Sequence, residues 1–198
     1  MADIPVGTPL AAPLPRQRTL LVGTVFGTAA TLMYFAGLLG VYLRKRSDVL
    51  SGGEEWIPSG ANIQLAPPTV AAWTMLMSVV TMQWAVYSIA RDDRAHAIMA
   101  TALTTLFGLS VVVTTSFQYT EMGLVADESI AAVLIYTISG SHLAMIAVGL
   151  VFLLLMAFRA LGGQYSSRQT DGFVAASIYW YAVVFVYVVI WTAIFVLK

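Results

Sequence analysis

Gln118 and Glu121 stand three residues apart, a spacing that puts both side chains on one face of a helix. They lie in the run Phe117-Gln118-Tyr119-Thr120-Glu121, at the end of a long apolar stretch. A carboxylate and an amide there can grip a neighbouring helix or a lipid headgroup, or Glu121 can simply be solvated. The second polar cluster, Ser139-Gly140-Ser141-His142, falls well inside another apolar stretch. An imidazole in such a place either ligates a metal or haem, or hydrogen-bonds across to another helix. A buried bis-histidine haem needs two imidazoles facing each other at similar depth. The other histidine, His96, adjoins the charged turn Arg91-Asp92-Asp93-Arg94, toward the opposite membrane face, where it should be wet. His142 is therefore expected to make a structural hydrogen bond. The chain has no cysteine, which excludes disulfides, thiolate metal ligands, iron–sulfur clusters and covalent c-type haem. No catalytic pair, nucleotide-binding loop or metal-ligand cluster is evident, so this chain is expected to bind no cofactor and hold no metal.

The elements that would position these groups are five long apolar runs, at residues 19–43, 69–90, 95–117, 130–158 and 173–197. About 20 apolar residues span the hydrocarbon of a bilayer at about 1.5 Å per residue. A soluble domain of 198 residues could not cover five helices that are apolar nearly all round. Hydrophobic residues make up 59% of the chain and charged residues 10%, against roughly 25% charged in an ordinary soluble domain. The sequence predicts an all-α, polytopic membrane bundle of five transmembrane helices. A formal net charge of zero gives no basic surface for nucleic acid.

Residues 1–18 read as a flexible N-terminal arm, rich in Pro and Ala, and residues 19–198 as one transmembrane domain. The arm lacks the basic start of a signal peptide, and the first apolar run is too long for one. With the N-terminus inside, the inner segments carry Arg16, Arg18, Arg91, Arg94, Arg159 and Arg168, and the outer ones Arg44, Lys45, Arg46 and Lys198. That bias favours a cytoplasmic N-terminus and an external C-terminus. The acidic residues Asp48, Glu54, Glu55, Asp127 and Glu128 then lie outside. The longest loop is expected over residues 44–68. Gly23 and Gly27, and Ala36 and Gly40, are pairs of small residues four apart, the spacing that lets helices pack closely in lipid. Trp56, Tyr119 and Tyr179, near span ends, fit an interfacial aromatic belt.

The order and spacing of several short motifs resemble subunit III of the haem–copper terminal oxidases. The first span reads Leu32-Met33-Tyr34-Phe35-Ala36-Gly37-Leu38, similar to the family's Leu-Met-Phe-Phe-Ala-Gly-Leu. Gln118-x-x-Glu121 matches a Gln-x-x-Glu at the end of a helix. Thr137-Ile138-Ser139-Gly140-Ser141-His142 is similar to a Thr-Gly-Phe-His segment, and Gly149 follows where the family has glycine. Tyr179-Trp180 opens the last helix, where the family has Tyr-Trp-His-Phe-Val-Asp. Five spans fit the short actinobacterial-type form, which lacks the first two of seven helices. The chain also departs from the pattern. The family's buried glutamate falls on Thr31, its second histidine on Met145, the histidine after Tyr-Trp on Tyr181 and the aspartate on Val184.

The resemblance implies a non-catalytic accessory subunit of a cytochrome c oxidase-type complex, with no redox centre of its own. It would pack on catalytic subunit I among other respiratory subunits that hold the haem and copper. It would bind phospholipid and support proton uptake and sustained turnover in aerobic electron transport. Gln118, Glu121 and His142 would then make lipid or inter-subunit polar contacts, and the location would be the bacterial plasma membrane. Two other readings stand beside this one: a small transporter or channel with Gln118, Glu121 and His142 along a polar path, and a subunit of a nitric oxide reductase-type assembly.

Overall fold

The computed structural model describes residues 18–126, 128–167 and 169–197. Most of the N-terminal arm, together with Asp127, Arg168 and Lys198, lies outside the described residues. Five helices follow in order: α1 (Thr19–Ser51), α2 (Ala66–Ile89), α3 (Arg94–Glu121), α4 (Ile130–Leu161) and α5 (Asp171–Ile190). A wider π-helical turn, Trp191–Val196, continues α5. All five are long and apolar enough to cross a membrane.

Local chemistry sets the boundaries. Pro67 and Pro68 occupy the first turn of α2, where a missing N–H costs nothing. The Asp93 carboxylate accepts from the His96 N–H at 3.2 Å and caps α3. The Ser129 hydroxyl accepts from the Ala132 N–H at 3.1 Å and caps α4. Asp171 sits in the first turn of α5 and Arg159 in the last turn of α4, each with the sign the helix dipole favours.

One boundary differs from the sequence expectation. α1 continues past Leu43 to Ser51, so the Arg44–Arg46 cluster is helical and the loop shortens to residues 52–65. Beyond the hydrocarbon the backbone needs no apolar side chains to stay helical. Arg44 and Asp48 pair at 3.0 Å, one turn apart, and Arg46 donates to the carbonyl of Leu197.

Successive helices alternate in direction. At the near end, which carries the start of α1, Asp92 accepts from the Ser167 N–H at 2.6 Å. This bond ties the α2–α3 turn to the α4–α5 connection. Asp92 holds φ 61°, a left-handed conformation that Asp tolerates in tight turns. At the far end the Asn62 N–H donates to the Met122 carbonyl at 3.0 Å, and Tyr136 donates to the Leu124 carbonyl at 2.9 Å. Trp56 is folded over α1, its indole N–H 3.1 Å from the Tyr42 hydroxyl.

The centre of the bundle is Trp180 of α5, which is fully buried. Its ring lies in a slot left by two glycines, Gly108 of α3 and Gly149 of α4. A Cβ added at Gly108 would sit 2.6 Å from the Trp180 ring, and one at Gly149 would sit 3.0 Å from it. The indole N–H donates to the Ser78 hydroxyl of α2 at 2.9 Å. One side chain thus joins four helices. Between α2 and α3, the buried hydroxyls of Thr81 and Thr104 meet at 2.8 Å. α1 stands apart from this core: it buries only Thr28, Phe35, Leu39 and Tyr42, a single stripe turned toward α4 and α5.

Candidate functional site

His142 lies 12 residues along α4, about 18 Å from the helix start and so deep in the apolar layer. It is 3% exposed, and its Nε2 is 3.0 Å from the Val183 carbonyl of α5. A carbonyl only accepts, so Nε2 carries the hydrogen. The ring packs edge-on to Phe35 of α1, centroids 6.2 Å apart, and lies 5.3 Å from the Tyr187 ring of α5. The expected hydrogen bond across helices is therefore present, and it is made within the chain. At the adjoining residues, the Tyr34 and Ser141 hydroxyls meet at 2.9 Å and fasten α1 to α4.

Gln118, on the last turns of α3, is also turned inward, at 6% exposure. Its neighbour Tyr119 donates to the Ser139 hydroxyl of α4 at 2.7 Å, and Ser139 in turn donates to the Ile135 carbonyl at 2.6 Å. Gln118, Tyr119, Ser139, His142 and Tyr187 line one small chamber between α3, α4 and α5. The structure thus brings Gln118 and His142 to one cavity. Glu121 is not part of it. Glu121 is exposed at the far end, where it shares a separate small cleft with Gln118, Asn62 and Gln64.

The small residues of α1 have a different placement. Gly23, Gly27, Ala36 and Gly40 are all exposed, and a Cβ added at any of these glycines would meet nothing within 4 Å. Among the described residues, no neighbour fills the space that a side chain at Gly23, Gly27 or Gly40 would take. Ala36 borders an apolar groove of about 400 Å³ between α1 and α5, lined also by Leu32, Met33, Phe35 and Phe185.

The positions where the chain departs from the oxidase pattern are accommodated without buried charge. Thr31 turns its hydroxyl back to the Gly27 carbonyl at 2.8 Å. Met145 and Val184 are buried among apolar neighbours. Tyr181 donates to the Gln83 side chain at 2.6 Å. His96 is exposed and sits 2.7 Å from the Asp93 carboxylate. The hydrogen bonds from His96 hold that carboxyl below its ordinary value. Among the described residues no group of three or more His, Cys, Asp or Glu side chains could hold a metal ion.

Trp56, Tyr119 and Tyr179 satisfy their polar ends inside the protein, Tyr179 on the Met145 carbonyl at 3.2 Å. The hydroxyls of Ser78, Thr81, Thr104 and Ser139 carry much of the interhelical hydrogen bonding, and of these sequence reasoning singled out only Ser139. The available signal was small polar residues at three- and four-residue spacing within apolar runs, as in Ser78 and Thr81 or Thr101 and Thr104.

These features define an all-helical, multi-pass membrane protein in which several buried polar groups join helix to helix. The family model for cytochrome c oxidase subunit III matches residues 14–197, and the chain belongs to that family. It is 26% identical over 188 residues to a protein of Mycobacterium leprae named "Probable cytochrome c oxidase subunit 3", covering 93% of this chain and 91% of that one. It is also 26% identical over 174 residues to cytochrome c oxidase subunit 3 of Paracentrotus lividus, covering 86% of this chain. The human protein of that name is 26% identical over 184 residues. The chain spans 66% of the length of the Paracentrotus protein and 70% of the human one.

Proposed function

We propose that this chain is a non-catalytic accessory subunit of a respiratory haem–copper oxidase in a bacterial plasma membrane. The observation that carries the reading is the family match over residues 14–197, together with a mycobacterial relative matched over nine-tenths of its length. Haem and copper would reside in partner subunits, above all catalytic subunit I. The orientation that follows the positive charges puts the near end, with Arg91 and Arg94, in the cytoplasm and the C-terminus outside.

In the assembly, the open face of α1 is where a neighbouring subunit's helix or lipid would approach. Gly23, Gly27, Ala36 and Gly40 put no bulk in its way. Glu121, exposed at the far end, would meet a partner subunit or a headgroup, while His142 acts from inside by joining α4 to α5. The chain would support proton uptake and sustained turnover by keeping the catalytic subunit packed and its lipid in place. Membership of an oxidase family favours this reading over a transporter or a nitric oxide reductase-type subunit.

The test is purification in mild detergent through a tag on this chain, with a visible spectrum and identification of co-purifying chains. Haem bands arriving with larger subunits are the expected result, as is a colourless protein once this subunit is separated from them. A colourless, self-contained oligomer from the membrane would overturn the proposal.

A further inference from the structure

The chamber between α3, α4 and α5 contains polar atoms that the protein leaves unanswered. Among the described residues, neither end of the Gln118 side-chain amide has a hydrogen-bond partner, although Gln118 is 6% exposed. An amide carries two donors and an acceptor, and Gln118 presents it at the wall between the chamber and the far-end cleft. His142 has the complementary gap. Its Nε2 is committed to the Val183 carbonyl at 3.0 Å, so in the neutral ring Nδ1 is a bare acceptor, and no described group donates to it. Ser139 accepts from Tyr119 and donates to Ile135, which leaves one lone pair on its hydroxyl.

All three residues line the same chamber, which leaves about 10 Å³ for the centre of a water-sized sphere. That is the room a single water needs, and a buried water needs two to four polar partners. We propose that this chamber holds one ordered water molecule that bridges the Gln118 amide to Nδ1 of His142.

The bridge is internal to the chain and needs no partner subunit. The water donates to Nδ1 and exchanges a hydrogen bond with Gln118, and the Ser139 lone pair is a further acceptor in the lining of the chamber. Gln118 and Met122 also line the neighbouring cleft formed with Asn62, Gln64 and Glu121 at the far end. Asn62, Gln64 and Glu121 are exposed. Gln118 and Met122 thus form the wall shared by the chamber and the exposed cleft.

Two histidines in the whole chain make this testable by ring-nitrogen labelling. The full chain, carrying ¹⁵N-histidine, is studied in lipid bilayers by solid-state NMR, with His96 as the internal reference for an exposed ring. The expected result is a His142 ring protonated on Nε2, an Nδ1 resonance shifted as a hydrogen-bond acceptor, and magnetisation transfer from water to that ring. Gln118→Leu should abolish the transfer and move Nδ1 to the position of a free acceptor, with His96 unchanged. The wild-type measurement stands by itself should the variant misfold. A His142 ring that receives no magnetisation from water while His96 does would overturn the proposal. So would transfer that survives unaltered in a folded Gln118→Leu protein.

Discussion

Replacing His142 with alanine removes one hydrogen bond between α4 and α5 and the ring contacts to Phe35 and Tyr187. Hydrogen bonds between membrane helices are worth about 0.6 to 2 kcal/mol. That is enough to loosen the junction of α1, α4 and α5 and too little to unfold five spans. In the proposed oxidase assembly, His142→Ala should leave the initial rate of oxygen consumption near wild type while activity decays faster over many turnovers. An immediate, complete loss of rate with every subunit still bound would instead give His142 a direct catalytic part. Thr31 supports a second expectation. Carbodiimides modify a protonated carboxyl held in an apolar site, and Thr31 offers a hydroxyl already bonded to the Gly27 carbonyl. Labelling followed by peptide mapping should leave α1 unmodified within the membrane; heavy modification there would contradict the placement of the family's glutamate position on Thr31. At this scale the sequence was readable where a residue was chemically rare. A lone imidazole in an apolar run announces a hydrogen bond. Ser78 and Ser139 are buried too, but a serine gives no hint of which helix it faces, because its partner is fixed only by how the helices rotate against one another.

Helices were legible because hydrocarbon thickness sets a minimum apolar length, and each of the five runs exceeded it. Their ends were less so. The lipid-spanning part of α1 is marked by hydropathy, whereas its extension through Arg44–Arg46 to Ser51 rests on an Arg44–Asp48 pair that hydropathy does not register. The tightest packing also escaped the small-residue pairs read from the first span. It lies at Gly108 and Gly149, around Trp180. That ring is fully buried and anchored on Ser78, so it has nowhere to retreat. Gly108→Ala, with its new methyl 2.6 Å from the ring and 2.8 Å from Leu150, should cost about 1–3 kcal/mol, in the range of core overpacking. Gly149→Ala, at 3.0 Å, should cost less, and Gly23→Ala, with nothing within 4 Å, should leave the isolated chain unchanged. Thermal or SDS-induced unfolding of the three variants should rank them in that order. The α2–α3 turn gives a pH dependence. Asp93 caps α3, and its carboxyl is held below the ordinary 3.8 by the hydrogen bonds from His96. A lowered value means that the cap's contribution is present above pH 3.8 and is lost as pH falls through the still lower folded value. The protection factor of the His96 amide should therefore be steady down to about pH 4 and fall only below it, and Asp93→Ala should remove that protection at neutral pH.

For the whole molecule, the connections at the two ends fix how many times the chain crosses. Asp92 and Ser167 are joined at the near end, so the α2–α3 turn and the α4–α5 connection share a face. Asn62 and Met122 are joined at the far end, so the α1–α2 and α3–α4 connections share the other. Arg46, at the C-terminal end of α1, reaches the carbonyl of Leu197, which brings the end of the chain to that same far face. Five crossings satisfy all three contacts, whereas four or six would leave Leu197 beside Asp92. Which face is cytoplasmic is a matter of charge. Among the described residues, Arg18, Arg91, Arg94 and Arg159 stand toward the near end, and Arg44, Lys45 and Arg46, in the helical extension of α1, toward the far end. Because that extension continues α1 beyond the hydrocarbon, its cations stand close to the membrane on the far side and oppose the bias set by Arg91, Arg94 and Arg159. The excess is small, so orientation should respond to it. Reporter fusions at Asp92 and at the C-terminus should read opposite faces, with Asp92 cytoplasmic. Moving charge across, by replacing Arg91 and Arg94 with Gln, should produce a mixed population at both sites without altering their opposition. Both reporters on one face in the unaltered chain would refute the odd number of spans.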